Sequence, residues 1–346
     1  MSRTFVAGLG AVSPAGWSVA ALCEALNEGR PLPTQPVQRP GWEKSLCARL
    51  VPHPAARPTF LAHPRLRRAS PITHYAAAAA LQAVAGLRAS RDGASRLGLV
   101  ACLQAGCVNY SRRFFDEALK DPTTASPLLF PETVFAAPAS HVAALLENVS
   151  LTYTLVGDSA CFLQGVFVAA QWLAENRVEA CVIIGSEESD WILADALRHL
   201  DRRAVLAGGA GALCLCSDLA MSAGAELAAI TDPHTHTAGM NRWRAARAMR
   251  RQLGDGSSTE LLCDGIGDSP RADAAERAAW RDWPGARLSP KRILGEGLMA
   301  GAAWQCVAAC QAITSGRFPA ANVSLVGPNQ QAIGARFVRA ACSDPR

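Results

Sequence analysis

The amino-acid sequence predicts a layered α/β fold. Half of its 346 residues are apolar, which is enough for a large buried core. Charged residues make up 18% and aromatic residues 6%, so the interior has to be built mainly from alanine, valine and leucine. Such small side chains let helices pack closely on sheets. Short apolar runs alternate with helical segments in both halves of the chain, as a layered α/β fold requires.

The first half of the chain alternates strands with helices. Residues 4–12 form a buried apolar run that ends in a glycine turn, and 30–70 form an irregular segment rich in proline and arginine. Further strands are predicted at 97–103, 151–156, 180–184 and 212–216, and helices at 19–27, 75–87, 140–146 and 162–175. Residues 104–135 are predicted as a mixture of loop and helix.

The second half repeats this alternation. Strands are predicted at 227–232, 260–263 and 335–340, and helices at 241–253, 272–280 and 297–314. No strict sequence repeat accompanies the alternation. We therefore expect two similar halves, one at 1–220 and the other at 221–346.

The charge pattern favours a protein partner over nucleic acid. The net charge of +5 arises from 34 basic and 29 acidic residues, with local basic clusters at 65–68 and 242–251. Nucleic acid binding requires a contiguous basic stripe, often with stacking aromatic side chains. A small basic patch is better suited to an acidic protein, so we expect no nucleic acid partner.

The cysteines and the lengths of the apolar runs indicate a cytoplasmic location. Most of the 12 cysteines lie inside apolar runs, without a Cys-x-x-Cys pair or nearby histidines, which is typical of reduced, buried thiols. No metal site is therefore expected. The sequence shows no signal peptide, and no run approaches the ~20 apolar residues of a membrane span, so no membrane partner is expected either.

A glycine pair after the first predicted strand does not support a nucleotide cofactor. Gly8 and Gly10 have the spacing that opens a dinucleotide motif, but Ser13 occupies the position of the third glycine and Pro14 follows it. The sequence also lacks a P-loop. We therefore expect no cofactor.

The segment 157–161 (Gly-Asp-Ser-Ala-Cys) lies at a strand-to-helix junction and carries the clearest chemical signal. Cys161 precedes the predicted helix, where N–H groups of the first turn and the helix dipole favour a thiolate and can bind an oxyanion. The segment is also similar to a serine-hydrolase elbow with Ser159 as nucleophile, but Cys161 stands where that motif has its last glycine. Cys161 is therefore the preferred candidate nucleophile, ahead of Ser159.

Several segments together resemble the β-ketoacyl-acyl-carrier-protein synthases, or ketosynthases. Residues 5–16 are similar to the opening of these enzymes and 158–161 to their active-site cysteine motif. Residues 208–213 resemble the glycine-rich strand that follows, and 289–296 resemble the late lysine-and-histidine motif. These motifs occur in the family's order over nearly the whole chain. The resemblance implies a thiolase-like fold, in which two similar halves form five α-β-α-β-α layers.

The sequence departs from the ketosynthase pattern at both catalytic histidines. Asp264 stands at the first histidine position, and Glu296 stands at the second, shortly after the retained Lys291. The acidic helix motif of the family follows one residue late, at 273–276. The glycine-rich gating loop is reduced to 327–329.

These departures argue against decarboxylative condensation. An ionised carboxylate cannot donate a hydrogen bond to a thioester carbonyl, and it repels an enolate. Each lost donor typically costs ~2.7–4 kcal/mol of transition-state stabilisation. The preferred hypothesis is an acyltransferase of fatty acid or polyketide biosynthesis. In it, Cys161 accepts an acyl group, and Asp264 or Glu296 is the base that activates water, an alcohol or an amine.

Two alternatives stay open. One is a non-condensing partner of an active ketosynthase, similar to a chain length factor. The other is a condensing synthase in which His234 or His236 replaces the lost histidines. In any of these proteins, Lys291 is expected to pair with Glu296, and Phe162 to narrow the acyl entrance beside the thiol.

The resemblance also implies partners. The acyl donor would be an acyl carrier protein or acyl-CoA. The chain would form a homodimer, or a heterodimer with a ketosynthase, through an edge strand at 97–103 or 151–156.

Overall fold

The computed structural model describes residues 3–90, 96–237 and 241–341. The strands are β1 (Phe5–Val12), β2 (Gln35–Val37), β3 (Leu46–Arg49), β4 (Leu97–Leu103), β5 (Val149–Val156), β6 (Ala180–Glu187), β7 (Leu206–Ala207), β8 (Gly209–Cys216), β9 (Ala225–Ile230), β10 (His234–Thr235), β11 (Leu261–Cys263), β12 (Ala286–Leu288), β13 (Ala320–Val326) and β14 (Gln331–Arg339). The α-helices are α1 (Val19–Glu28), α2 (Pro71–Ser90), α3 (Val108–Lys120), α4 (Ala137–Leu146), α5 (Cys161–Ala174), α6 (Trp191–Leu200), α7 (Arg242–Leu253), α8 (Ala274–Ala279), α9 (Pro290–Leu294) and α10 (Leu298–Thr314). Short 3₁₀ helices lie at Thr59–Ala62, Pro64–Leu66, Phe130–Glu132 and Leu219–Met221.

The main strands form two arrays with the same topology. Their order is β5-β4-β6-β8-β1 in the first array and β12-β11-β13-β14-β9 in the second. In both arrays the first three strands are parallel, and the last two are antiparallel to their neighbours. The arrays join where β1 pairs with β9 at Phe5 and Val6. The prediction of two similar halves is therefore confirmed.

Helices lie outside and between the two arrays. α2 and α4 pack on one face of the first array, and alternate residues of its strands face α5 and α10 on the other. α10 contacts β6 and β8 on one side and β11 and β13 on the other. α7 and α8 cover the far face of the second array. This arrangement gives the five α-β-α-β-α layers that the ketosynthase resemblance implied.

Close packing, rather than ligand binding, explains the glycine pair in β1. A Cβ atom on Gly8 would lie 2.0 Å from the carbonyl oxygen of Ala83, and one on Gly10 would lie 1.9 Å from that of Ala79. Both carbonyls belong to α2. The missing side chains therefore let this helix rest directly on the strand.

The central helix α10 is tied to the first half by a tryptophan. The indole Nε1 of Trp304 donates to the carbonyl oxygens of Val12 and Ala210, at 3.0 Å each. The ring itself is fully buried. This side chain of the second half therefore fills part of the first half's core.

The main differences from the predicted elements have physical causes. β13 was not predicted, because Asn322 and Ser324 interrupt its apolar pattern; both are buried and bonded, to Glu260 and Trp280 respectively. Strand 97–103 lies between β5 and β6 and is not an edge, so that prediction was wrong. β5, which includes the alternative 151–156, does form the edge of the array.

Two further observations concern organisation and membranes. The predicted boundary at residue 220 falls between β8, which ends at Cys216, and β9, which begins at Ala225, and it stays a prediction. Within the described ranges, no helix is both long enough and apolar enough to cross a membrane.

Candidate active site

The thiol of Cys161 is enclosed by amide side chains. Cys161 is the first residue of α5 and is only 4% exposed. Its Sγ donates to Oε1 of Gln164 at 3.2 Å, and Nε2 of Gln164 donates to Oε1 of Gln331 at 2.9 Å. No acidic or basic side chain among the described residues makes a hydrogen bond to this thiol. The group that would have to remove its proton is therefore not in contact with it.

The surroundings of Cys161 disfavour a thiolate, contrary to the expectation from its place at the start of a helix. Burial raises the pKa of the thiol to about 11, and the negative charge of Asp158 adds to this effect. The amide of Cys161 donates to the carbonyl of Asp158 at 2.9 Å. The amides of Phe162 and Leu163 donate to the carbonyls three residues before them, at 3.3 Å each. The first-turn donors are therefore engaged locally and do not face an oxyanion.

A short loop, residues 327–330 between β13 and β14, closes over the cysteine elbow. Oδ2 of Asp158 accepts from the amides of Asn329 and Gln330, at 3.3 and 2.9 Å. The amide of Asp158 in turn donates to Oε1 of Gln330 at 3.1 Å. A Cβ atom on Gly327 would lie 2.0 Å from Oδ2 of Asp158, so a side chain at this position would displace the carboxylate. Loop 327–330 is therefore held to the cysteine elbow by one carboxylate.

The side chain of Gln330 and the thiol of Cys161 both lie near Gly157. A point at the Cβ position of Gly157 would be 3.0 Å from Oε1 of Gln330 and 3.1 Å from Sγ of Cys161. The closed loop thus brings an amide group to the same backbone position, Gly157, that the sulfur faces.

Asp264 is buried just after β11. It is 1% exposed, and its Oδ1 accepts from the amide of Ile266 at 3.2 Å and from Oγ of Ser289 at 2.5 Å. Its Oδ2 has no hydrogen-bond partner among the described residues. Burial raises the pKa of Asp264 to about 6. The carboxylate at the first histidine position is therefore an internal group, not a surface charge.

A second carboxyl group, Glu276, belongs to the same buried network. Its Oε1 accepts from the amide of Gly265 at 3.1 Å and from the hydroxyl of Ser324. Burial, together with the charge of Asp264, raises the pKa of Glu276 to about 8. Glu276 is the last residue of the acidic helix motif at 273–276 and was not among the predicted site residues. Its spacing after Asp264 was the available signal.

Glu296 forms an ion pair with Lys291, as predicted. Its Oε1 also accepts from the amide of Leu298 at 3.0 Å, at the start of α10. Leu298 has a φ of 49°, in the left-handed region that branched side chains rarely adopt. The side chain of Glu296 therefore connects Lys291, which precedes it in the chain, with the start of α10, which follows it.

A cavity of about 860 Å³ connects part of the predicted site. Ser159, Lys291 and Glu296 lie in its wall, together with Gly265 next to Asp264. Among the described residues that line it, Cys161, Asp264 and Phe162 do not appear. Three of the predicted residues therefore line one cavity, and Cys161 is not among the described residues that line it.

Phe162 does not narrow a channel. Its ring is fully buried in the central core, where a Cβ atom on Gly185 would lie 3.0 Å from Cδ2 of the ring. The expected role at an acyl entrance was therefore wrong, because the side chain points into the packing between α5 and β6.

The two candidate histidines lie apart from this cavity wall. His234 belongs to strand β10, and its Nε2 lies 3.1 Å from Oε1 of Gln252 in α7. His236 is buried, and neither ring nitrogen has a hydrogen-bond partner among the described residues. Its amide donates to the carbonyl of Gln330 at 2.8 Å. His236 therefore supports the loop that covers Cys161.

No group of metal-ligating side chains that could hold an ion is found in the described ranges. A scan against protein-family models and a search of curated proteins each return no match.

Solved structures similar to this chain come from ketosynthases and chain length factors. The ishigamide ketosynthase/chain length factor is 17% identical, with a TM-score of 0.78 over 98% of this chain and 100% of that one. A β-ketoacyl synthase from Burkholderia phymatum is 18% identical, with a TM-score of 0.79 over 99% and 100%. The ketosynthase of Xenorhabdus doucetiae in complex with its chain length factor gives 14% identity and a TM-score of 0.75 over 98% of both chains.

The chain therefore has a thiolase-like fold, as the resemblance predicted. Within that class, its architecture is similar to that of the ketosynthases and chain length factors, at 14–18% sequence identity to the three structures above.

Proposed function

We propose that the chain is a non-condensing, ketosynthase-like subunit of fatty acid or polyketide biosynthesis that acts beside an active ketosynthase. The observation that carries this proposal is the enclosure of Cys161. Its thiol has a raised pKa, donates to a neutral amide and lies under a closed loop. A nucleophilic cysteine needs a thiolate or a neighbouring base, and this one has neither.

The residues at the histidine positions support the same conclusion. Glu296 is paired with Lys291, and a carboxylate accepts hydrogen bonds but cannot donate one to a carbonyl. Asp264 is already bonded to Ser289 and Ile266. Neither carboxylate replaces the hydrogen-bond donors that a thioester carbonyl or an enolate requires. Purified chain should release no carbon dioxide from a malonyl carrier protein.

The exposed edge of the first array offers a surface for the partner. β5 carries no charged residue, and its Tyr153 and Val156 are 49% and 52% exposed. An uncharged edge strand readily pairs with another strand. Two of the similar structures are of a ketosynthase together with a chain length factor. We assign β5 to pairing with a ketosynthase rather than with a second copy of this chain.

Co-expression with a panel of ketosynthases tests the proposal. We expect one of them to copurify as a heterodimer, and a double variant Tyr153→Lys, Val156→Lys to abolish that complex because charge blocks the strand edge. Leu200→Lys, at a highly exposed position outside β5, serves as the control and should leave the complex intact. Recovery of a homodimer alone would contradict this partner assignment.

Acyl transfer at Cys161 is the second candidate function, and a specific observation favours it. The cysteine is retained at the start of α5, and the cavity reaches Ser159, two residues before it. Opening of loop 327–330 would bring the sulfur toward that cavity. The acyl group would then pass from a carrier protein or CoA thioester to Cys161 and on to water, an alcohol or an amine.

Intact-mass analysis with a panel of acyl donors separates the two functions. Acylation that disappears in Cys161→Ala, but persists in Cys102→Ala at a neighbouring buried thiol, would establish the acyltransferase. The subunit proposal predicts no acylation of the chain alone, and the same result with its ketosynthase present.

A further inference from the structure

Two adjacent glutamates are buried at the end of strand β6. Neither Glu187 nor Glu188 has any exposed surface, and successive residues of an extended chain point to opposite faces of a sheet. Glu187 contacts the central layer, whereas Glu188 contacts the outer layer that contains α2. Burial raises the pKa of both carboxyl groups, that of Glu187 to about 8.

Glu187 is bonded to both halves of the molecule. Its Oε1 accepts from the amide of Gln104 at 2.5 Å, and its Oε2 accepts from the amide of Ala105 at 3.1 Å. Both donors follow β4 in the first half. The amide of Met299, in the first turn of α10, donates to the same carboxyl group. One side chain therefore connects the end of β4 with the start of the central helix of the second half.

These contacts adjoin the cavity. Gln104 and Leu298, the residue before Met299, both lie in the cavity wall. The amide of Leu298 is bonded to Glu296, and its φ of 49° is strained for a residue with a branched side chain. Such a conformation persists only while the surrounding contacts hold it. Loss of the contact between Met299 and Glu187 would therefore allow the start of α10 to relax.

Protonation changes the hydrogen bonds that Glu187 can make. An ionised carboxylate only accepts, and its two oxygens can serve three amides at once. The protonated acid has to use one oxygen as a donor. The three groups bonded to this carboxyl are all donors, so the proton displaces at least one of them.

The surrounding elements supply no positive charge to hold Glu187 ionised. β4, β8 and α10 contain no charged residue. The charge that contributes to the raised pKa of Glu187 is that of Glu188. Arg112 in α3 is paired with Asp190 at 3.0 Å. The charge of Glu188 also raises the pKa values of three uncharged groups in or next to α2 and α3, namely Tyr75, Cys107 and Tyr110.

We propose that Glu187 is a proton-controlled clamp between two walls of the cavity. In its ionised form it holds Gln104, Ala105 and Met299 together. In its protonated form it releases at least one of them, and the start of α10 relaxes at the cavity wall. The proposal is independent of the proposed function, since it concerns the shape of the cavity and not the partner of the chain.

Glu188 supplies a matched control. Its Oε2 accepts from the amide of Ile72 at 3.1 Å, and its Oε1 accepts from the amide of Asn109 at 2.6 Å. Among the described residues that line the cavity, neither donor appears. Glu188→Gln removes the same charge from the neighbouring position, so a difference between the two variants reports the contacts of Glu187 and not the loss of a buried carboxyl group.

Hydrogen–deuterium exchange of the full chain is the test, read by mass spectrometry and converted to protection factors between about pH 6.5 and about pH 9.5. In the wild type, we expect protection at 104–105 and 298–299 to rise ~10-fold or more over this range, relative to β8. The strand β8 reports changes in global stability. Glu187→Gln, which stays neutral, should abolish the rise, and Glu188→Gln should keep it.

The outcomes separate the clamp from a general effect of pH. Protection in the wild type that does not rise relative to β8 would overturn the proposal. A rise that persists in Glu187→Gln, or one that disappears equally in both variants, would overturn it as well. If Glu187→Gln does not fold, the wild type and Glu188→Gln decide: a rise in both supports the clamp, and a rise in the wild type alone contradicts it.

Discussion

Helices α5 and α10 occupy corresponding places in the two halves, yet their N-termini differ. α5 leads into β6 and α10 into β13, and both lie in the central layer. α5 begins at Cys161, sealed by Gln164 and the closed loop. α10 begins at Leu298, beside the cavity, where Glu296 bonds its first amide. The two helix starts occupy equivalent places in the fold, but only the start of α10 lies at a cavity that a ligand could enter.

The two helices should also differ most strongly in stability. Trp304→Ala in α10 removes a fully buried ring and two hydrogen bonds that connect the halves, so we expect a loss of about 3–5 kcal/mol in the free energy of unfolding. Phe167→Ala in α5, whose ring is partly exposed, should cost less than ~1 kcal/mol. Urea denaturation of both variants measures the difference. Similar losses of unfolding free energy in the two variants would show that α10 contributes no more to stability than α5.

The buried carboxyl groups near α10 predict a dependence of stability on pH. The pKa values of Asp264 and Glu276 are raised on folding, from 3.8 to about 6 and from 4.5 to about 8. The folded state therefore holds protons that the unfolded state has released, and stability falls as pH rises from about 4 to about 8.

Glu276→Gln tests this pH dependence. Glutamine stays neutral and can keep both hydrogen bonds to Oε1, so we expect the variant to lose ~2 kcal/mol less than the wild type between pH 5 and pH 8. Denaturation curves at both pH values provide the measurement. A wild type that becomes more stable toward pH 8 would contradict the predicted direction.

The closed loop over α5 predicts low reactivity of Cys161. Asp158→Ala removes both the oxygen that accepts from the loop amides and the charge that raises the pKa of the thiol, so alkylation by iodoacetamide should accelerate ~10-fold or more. Peptide mass spectrometry follows the rate at Cys161. Asp195→Asn, which breaks an ion pair with Arg39 elsewhere, is the control and should leave the rate unchanged.

The smallest effect is expected at the start of α10. The ion pair between Glu296 and Lys291 is partly exposed, and such pairs contribute about 0–1 kcal/mol. Glu296→Gln keeps an oxygen for the amide of Leu298 and should change the unfolding free energy by less than ~1 kcal/mol. A loss of several kcal/mol in thermal or chemical denaturation would mean that this ion pair contributes as much to stability as Trp304.

The sequence predicted the local features of the site better than its enclosure. The helix at Cys161 and the pairing of Lys291 with Glu296 follow from short-range spacing. The sealing of the thiol depends on a loop 171 residues further along the chain, which donates to Asp158. Contacts of that range leave no periodic signal in the sequence. Burial of Asp264 was hidden for the same reason, because Ser289 meets it only after β11 and β12 pair.

The indole of Trp304 has a consequence for how this chain can be divided. A polypeptide ending near residue 220 would lack α10 and would expose the apolar inner face of β6 and β8 to water. The remaining piece would carry a large tryptophan without its two carbonyl acceptors. Each fragment should aggregate when made alone, whereas synthesis of both in one cell should allow them to reassemble. The two halves share a topology, but neither can fold without the other.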